Sequence, residues 1–335
     1  MSTKIPPLVS GGLLTNYSCT SSCRHCLYRC SPHRAKDYIT PEQTERNLAA
    51  VRDNGCRSLH IGGGEPFVKP KALKECLKPF RGSGVGIDYI ETNASWAADA
   101  VSRPEDLLEE LLDLGVDTLL ISISPFHNES VPYAKTERLI RACRSAGMGI
   151  FPWVEGFIGD LSTFDTSISH SMEEFENRFG TGYLKSLPRR YWINMRGRAL
   201  DTYEPFMTPR PLDELLKDGS KGCAELTDTS NFHVDLYGSY IPGLCPGLGV
   251  SVEALGAPLP AGTSPVLTIL MTEGPSGLLD YARRDFGFEP KDEYVSKCRL
   301  CEEIRGHIVG SARKAGTASF PELAPREYYS LFLVS

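Results

Sequence analysis

Cys19-Thr20-Ser21-Ser22-Cys23-Arg24-His25-Cys26 sets three thiols on one short stretch, separated by three and then two residues. Three thiolates so spaced can hold three irons of a cubic iron–sulfur cluster and leave the fourth iron without a protein ligand. That open position is where chemistry could occur. Zinc is the rival, since a catalytic zinc commonly takes a His or carboxylate ligand and His25 could supply one. Metal choice follows from geometry as well as ligand type, so these eight residues leave both occupants open.

The chain has 335 residues, enough for about two domains of roughly 150 residues, or for one large barrel with an appendage. With 41% hydrophobic and 23% charged residues it has the composition of a soluble globular protein with a sizeable core. The net charge of −6 gives no electrostatic reason to expect nucleic acid or an anionic membrane as partner. No apolar run approaches the roughly 18 residues of a membrane span, and the N-terminus lacks a basic region followed by an apolar stretch. A cytoplasmic location is therefore expected. Eleven cysteines, an odd number, argue against a simple disulfide framework. Cys19, Cys23, Cys26 and Cys30 crowd the first 30 residues, while Cys223, Cys245, Cys298 and Cys301 fall in the last third. Cys56, Cys76 and Cys143 stand singly and are expected to be buried free thiols.

Leu13 and Leu14 lie near a first strand that ends where the cysteine loop begins, and from the loop onward the pattern alternates. Thr40-Pro41 starts a helix that runs to Asn54-Gly55. A strand at Ser58–Ile61 ends in Gly62-Gly63-Gly64-Glu65-Pro66, where the glycines let the backbone approach a ligand closely. Further strands are expected at 85–92, ending at Asn93; at Thr118–Ile123, ending in Ser122-Ile123-Ser124-Pro125; at Met148–Val154; and, sixth, at Tyr191–Met195. Helices at 70–80, 104–114 and 132–146 separate the second to the fifth. Strand–helix units repeating at about 30 residues imply parallel strands with right-handed crossovers. Six of them predict an α/β fold, a partial (β/α)6 barrel, with ligands gathering at the C-terminal strand ends. Beyond about Lys217 the pattern changes to a hairpin (Phe232–Leu236, Ser239–Pro242) bracketed by Cys223 and Cys245. A helix-like stretch and Cys298-Arg299-Leu300-Cys301 follow. The expected division is 1–216 and 217–335, the second part a small hairpin-plus-helix domain with a second four-thiolate site.

These residues resemble the radical S-adenosylmethionine (SAM) enzymes. The cysteine loop matches that family's C-x3-C-x2-C pattern, and Gly63-Gly64-Glu65-Pro66 its second-strand motif, at the right separation and in the right context. The resemblance spans roughly residues 8–200, and the last third is similar to the auxiliary-cluster domain called twitch, related to SPASM. It implies that Cys19, Cys23 and Cys26 hold a [4Fe–4S] cluster whose open iron binds SAM, and that reductive cleavage yields a 5′-deoxyadenosyl radical. Gly63, Gly64 and Glu65 would receive the methionyl amino group. Asn93, Ser122 and Ser124 would bind ribose or carboxylate, His25 would lie near the adenine, and Arg196 is a further SAM candidate. Cys30 is expected to be a bystander, because a fourth ligand would close the iron that SAM needs. Cys223, Cys245, Cys298 and Cys301 would saturate an auxiliary [4Fe–4S] cluster suited to electron transfer, with structural zinc as the competing occupant. A one-electron reductase of the flavodoxin or ferredoxin type would be the protein partner.

Hydrogen abstraction beside an electron acceptor suits oxidation of a small molecule, and the four-cysteine arrangement is similar to that of an aminocyclitol dehydrogenase. Modification of a ribosomally made peptide by thioether formation, carbon–carbon crosslinking, oxidation or epimerisation is the alternative. A non-enzymatic zinc protein that binds a partner is the alternative of another class. Candidate substrate-side groups are His127 and Glu155, each after a strand, with His233 and Tyr240 on the hairpin; acid–base roles for them depend on geometry first.

Overall fold

The computed structural model describes residues 3–97, 103–153, 155–217, 222–259, 262, 264–316 and 320–332. Five short strands alternate with helices in its first half: β1 (Gly11–Leu14), β2 (Ser58–Gly62), β3 (Gly86–Thr92), β4 (Thr118–Ser122) and β5 (Gly149–Trp153). Val154, the expected end of the fifth strand, lies outside the described residues. Each strand is parallel to its neighbour in the order β5-β4-β3-β2-β1. The crossovers are α1 (Pro41–Asp53), α2 (Pro70–Leu77), α3 (Pro104–Asp113), the single turn α4 (Pro125–Asn128) and α5 (Tyr133–Ala146). α1 starts where its sequence says it should. Thr40 accepts the Gln43 N–H, Gln43 reaches back to the Thr40 N–H, and Pro41 occupies the first turn.

The expected sixth strand does not form. Tyr191–Met195 takes no strand conformation, and its Tyr191 hydroxyl lies 3.2 Å from His25 Nε2. The sixth parallel strand comes later in the chain. After the short β6 (Arg210–Pro211), β7 (Phe232–Asp235) pairs in parallel with β1 on the side away from β2. β8 (Ser239–Ile241) and β9 (Val250–Ser251) continue antiparallel from it, giving an eight-stranded sheet in the order β5-β4-β3-β2-β1-β7-β8-β9. β10 (Glu293–Tyr294) pairs only with β6. The sheet is therefore continuous across residue 217, and hairpin residues reach the same face as β1–β5.

Strand alternation assigns the two faces. Leu13, Leu59, Ile61, Phe232 and Val234 are fully buried against the core, while Gly12, His60 and His233 stand at one register level on the other face. Cys56, Cys76 and Cys143 are buried free thiols, as expected of singly placed cysteines. No described helix is long and apolar enough to cross a membrane.

Candidate active site

A cavity of about 360 Å³ sits at the C-terminal ends of β2, β3 and β4. Cys19, Cys23 and Cys26 line it together with Gly63, Gly64, Glu65, Asn93, Ser122, His25 and His127, so residues scattered over more than 100 positions of sequence share one wall. The cysteine loop is held from several sides. Asn93 Nδ2 donates to Thr20 Oγ1 (3.1 Å) and Ser21 Oγ (3.3 Å), and the Gly64 and Glu65 N–H groups donate to Asn16 and Ser18 carbonyls (2.8 and 3.0 Å). Gly64 must be glycine here, because a Cβ would stand 2.0 Å from the Ser18 carbonyl oxygen. From behind, the Arg198 guanidinium donates to the Cys23 and Cys30 carbonyls at 2.7 and 2.9 Å.

The thiols are not equivalent. The Cys30 side chain and N–H both hydrogen-bond Cys26 Sγ, the N–H at 3.3 Å, and bring the Cys26 thiol down to about 6 against the cost of burial. Burial pushes Cys19 up to about 12 and Cys23 well above its usual range. A bound cation would reverse those two, since metal ligation requires the thiolate. Cys30 thus lines the cavity as a partner of Cys26. Three thiols from one loop facing a glycine turn and a buried carboxylate are a donor set that fits a [4Fe–4S] cluster with SAM. The buried His25 Nδ1, which has no hydrogen-bond partner among the described residues, is a further polar atom left for a ligand. Among the described residues, no three His, Cys, Asp or Glu side chains form a single-ion site.

Glu65 is wholly buried. Its carboxylate accepts from Phe67 N–H (3.1 Å), Thr92 Oγ1 (2.9 Å) and Asn93 N–H (2.7 Å), yet burial outweighs these bonds and raises it to about 7. His25 stacks on Phe126 with ring centroids 4.6 Å apart, and burial keeps it neutral. His127 is lowered to about 4 by burial, with Nδ1 2.7 Å from Ser124 Oγ.

Several expected positions fall elsewhere. Ser124 does not line the cavity; it is buried, caps α4 and fixes the His127 ring. Glu155 is exposed, in the 3-10 turn Glu155–Phe157, and is not among the residues that line the cavity. Tyr240 is fully buried against Phe232. Arg196 lines a different cavity. Its guanidinium pairs with Glu225 (3.1 Å) and donates to the Gly243 and Leu244 carbonyls at 3.4 Å.

That second cavity, about 250 Å³, is lined by Cys223, Cys245, Cys298 and Cys301 with Arg196 and Arg305. Cys298 and Cys301 lie on the first turns of the helix Lys297–Ala315, capped by Ser296, whose hydroxyl accepts the Arg299 N–H at 3.1 Å. Cys223 and Cys245 come from the turns flanking the β7–β8 hairpin. Four thiols stand here beside the guanidiniums of the buried Arg305 and the partly buried Arg196, which would offset negative charge on thiolates.

Residues 13–154 match the Radical SAM superfamily. The match covers the cysteine loop and the first five strands. Radical SAM enzymes use a [4Fe–4S] cluster and SAM, in accord with the three-thiol loop and its cavity. Among curated proteins the chain is similar to an S-adenosylmethionine-dependent nucleotide dehydratase of a Thermoplasmatales archaeon, 24% identical over 30% of this chain and 35% of that protein. It is also similar to a probable GTP 3′,8-cyclase of Methanothermobacter marburgensis, 27% identical over 37% of this chain and 38% of that protein. The chain thus spans little more than a third of the length of either relative. Among solved structures, anSMEcpe with bound AdoMet and Cp18Cys peptide superposes with a TM-score of 0.39 at 14% identity, covering 71% of this chain and 74% of that one.

One feature of the first cavity was hidden in the sequence. His60 and His233 meet on its wall with their Nε2 atoms 3.1 Å apart. His233 was visible as a hairpin residue, but His60 reads as an ordinary strand position. The available signal was Gly11-Gly12 in β1, an unusual pair inside a strand.

Proposed function

We propose that this protein cleaves SAM reductively and uses the resulting radical to oxidise a small molecule. The observation that carries the reading is the convergence of Cys19, Cys23 and Cys26 with Gly63, Gly64, Glu65, Asn93 and Ser122 on one cavity. A [4Fe–4S] cluster with SAM bound supplies the 5′-deoxyadenosyl radical. Residues 1–216 would be the radical SAM core and 217–335 a twitch-like part whose hairpin extends the core sheet. In the core, the buried Glu65 carboxylate and the Gly63-Gly64 backbone would receive the methionyl ammonium, with Asn93 and Ser122 orienting the rest of SAM. His25, neutral and stacked on Phe126, would lie by the adenine, and His127 would face the substrate side. Cys223, Cys245, Cys298 and Cys301 would hold an auxiliary [4Fe–4S] cluster, which would supply a one-electron acceptor for the substrate radical left by hydrogen abstraction. A flavodoxin- or ferredoxin-type reductase would supply the priming electron, in the cytoplasm.

Small-molecule oxidation is favoured over nucleotide chemistry by the charge of the cavity. None of the described residues lining it is Lys or Arg, so a triphosphate would enter with no side-chain counter-ion. The test is iron and zinc analysis after anaerobic purification, followed by a SAM-cleavage assay with dithionite. About eight irons per chain, two clusters of four, and 5′-deoxyadenosine are expected. Colourless protein containing zinc and inert toward SAM would sink the proposal.

A further inference from the structure

β1 lies between β2 and β7, and its Gly12 pairs in register with His60 on one side and His233 on the other. A Cβ on Gly12 would stand 2.2 Å from His60 Nε2. The missing side chain is what lets two imidazoles from separate strands touch across a third. They meet edge-to-face with centroids 5.0 Å apart and are joined Nε2 to Nε2 at 3.1 Å. At the far end His233 Nδ1 is 2.9 Å from the Tyr28 hydroxyl. At the near end His60 stacks on Tyr89, and its Nε2 is 3.9 Å from Glu91 Oε1. Of the four ring nitrogens, His60 Nδ1 has no hydrogen-bond partner among the described residues.

We infer that this pair, with Glu91, is the substrate-binding wall of the cavity, and that it takes a hydroxyl-bearing molecule that is neutral or cationic and carries no phosphate. The inference rests on the proposed radical reading for the word substrate, and on the geometry for the site. An N–H···N link can be polarised either way. If His233 donates across it, His60 Nδ1 carries the remaining proton and donates to a ligand. If His60 donates, His60 Nδ1 is bare and accepts. One position can thus serve either side of a hydroxyl group, which itself both donates and accepts. Glu91, with no Lys or Arg beside it on the cavity wall, adds an acceptor that favours an ammonium and repels a phosphate.

The probes are D-glucosamine and D-glucosamine 6-phosphate, which differ only in the phosphate, titrated calorimetrically into anaerobically reconstituted, SAM-loaded protein. Glucosamine is expected to bind at least tenfold more tightly than its phosphate. His60→Phe and His233→Phe should each weaken it at least tenfold, with circular dichroism and melting temperature used to verify that both variants fold. Where His233→Phe misfolds, Glu91→Gln takes its place with the same expectation. Tighter binding of the phosphate, no binding of glucosamine by the wild type, or unchanged binding by folded variants overturns the inference. SAM cleavage by the wild type without probe is measured in parallel. Its failure would count against the radical reading alone and leave the binding result to stand.

Discussion

The Asn93 N–H donates to Glu65 Oε2 at 2.7 Å, tying the end of β3 to the turn after β2 with a carboxylate that has no access to water. Glu65 therefore has two tasks. It braces two strand ends, and it offers negative charge to a cavity that holds three thiols.

The first prediction concerns protons. Glu65 sits near 7 when folded against an ordinary 4.5. Its contribution to stability is therefore full below about pH 4.5 and is lost as the pH rises through about 7. An ammonium brought beside it favours the carboxylate, so SAM binding should release about half a proton at pH 7 and almost none above pH 9. Calorimetry in two buffers of different ionisation enthalpy reads this directly. Glu65→Gln should abolish the release and weaken SAM binding about tenfold, or about 1.4 kcal/mol.

Gly12→Ala tests the contact over β1. Forcing a methyl group toward His60 should cost about 1–3 kcal/mol in urea unfolding. The double variant Gly12→Ala/His60→Ala should recover most of that loss, because the clash needs both partners. Additive losses would mean that the two residues do not meet.

Metal content separates the two cysteine sets. Cys223→Ala/Cys298→Ala should retain about four irons of the roughly eight expected in the wild type. Cys19→Ala/Cys23→Ala should also retain about four but lose SAM cleavage entirely. Loss of all iron from either double variant would show that the two sets do not bind independently.

Arg29 ties the cysteine loop to the second cavity. It is buried, 3.1 Å from the buried Glu302, and also paired with Asp201, which in turn meets Arg299 between Cys298 and Cys301. Arg29→Met should destabilise by up to about 3–5 kcal/mol, since it removes the nearer of the two guanidiniums paired with the buried Glu302 and leaves only Arg299, at 3.6 Å, beside that carboxylate. Arg29→Met/Glu302→Gln should be less damaging than the single change in the same denaturation experiment.

Much of this was legible in the chain. The capping box at Thr40, the glycine-rich turn after β2 and the strand–helix alternation are local signals, set within a few residues by capping, backbone freedom and hydrophobic period. They gave five of the parallel strands, the hairpin, and the cysteine, glycine and strand-end positions of the first cavity. Ser124 and Glu155 illustrate the limit. Both follow strands, but whether a residue just past a strand points into the cavity, caps the next turn or swings to solvent depends on how the chain leaves the sheet.

By itself the sequence determined the parallel α/β layering and the local grouping of the three N-terminal thiols, because both depend on short-range spacing. Only the tertiary structure decided that the sixth parallel strand is Phe232–Asp235 rather than Tyr191–Met195, that Arg196 belongs beside the distal cysteines, and that His60 and His233 touch. Those outcomes rest on strand pairing across more than 200 residues of sequence and on an empty place at Gly12, and pairing at that range leaves no period or motif in the residues that take part.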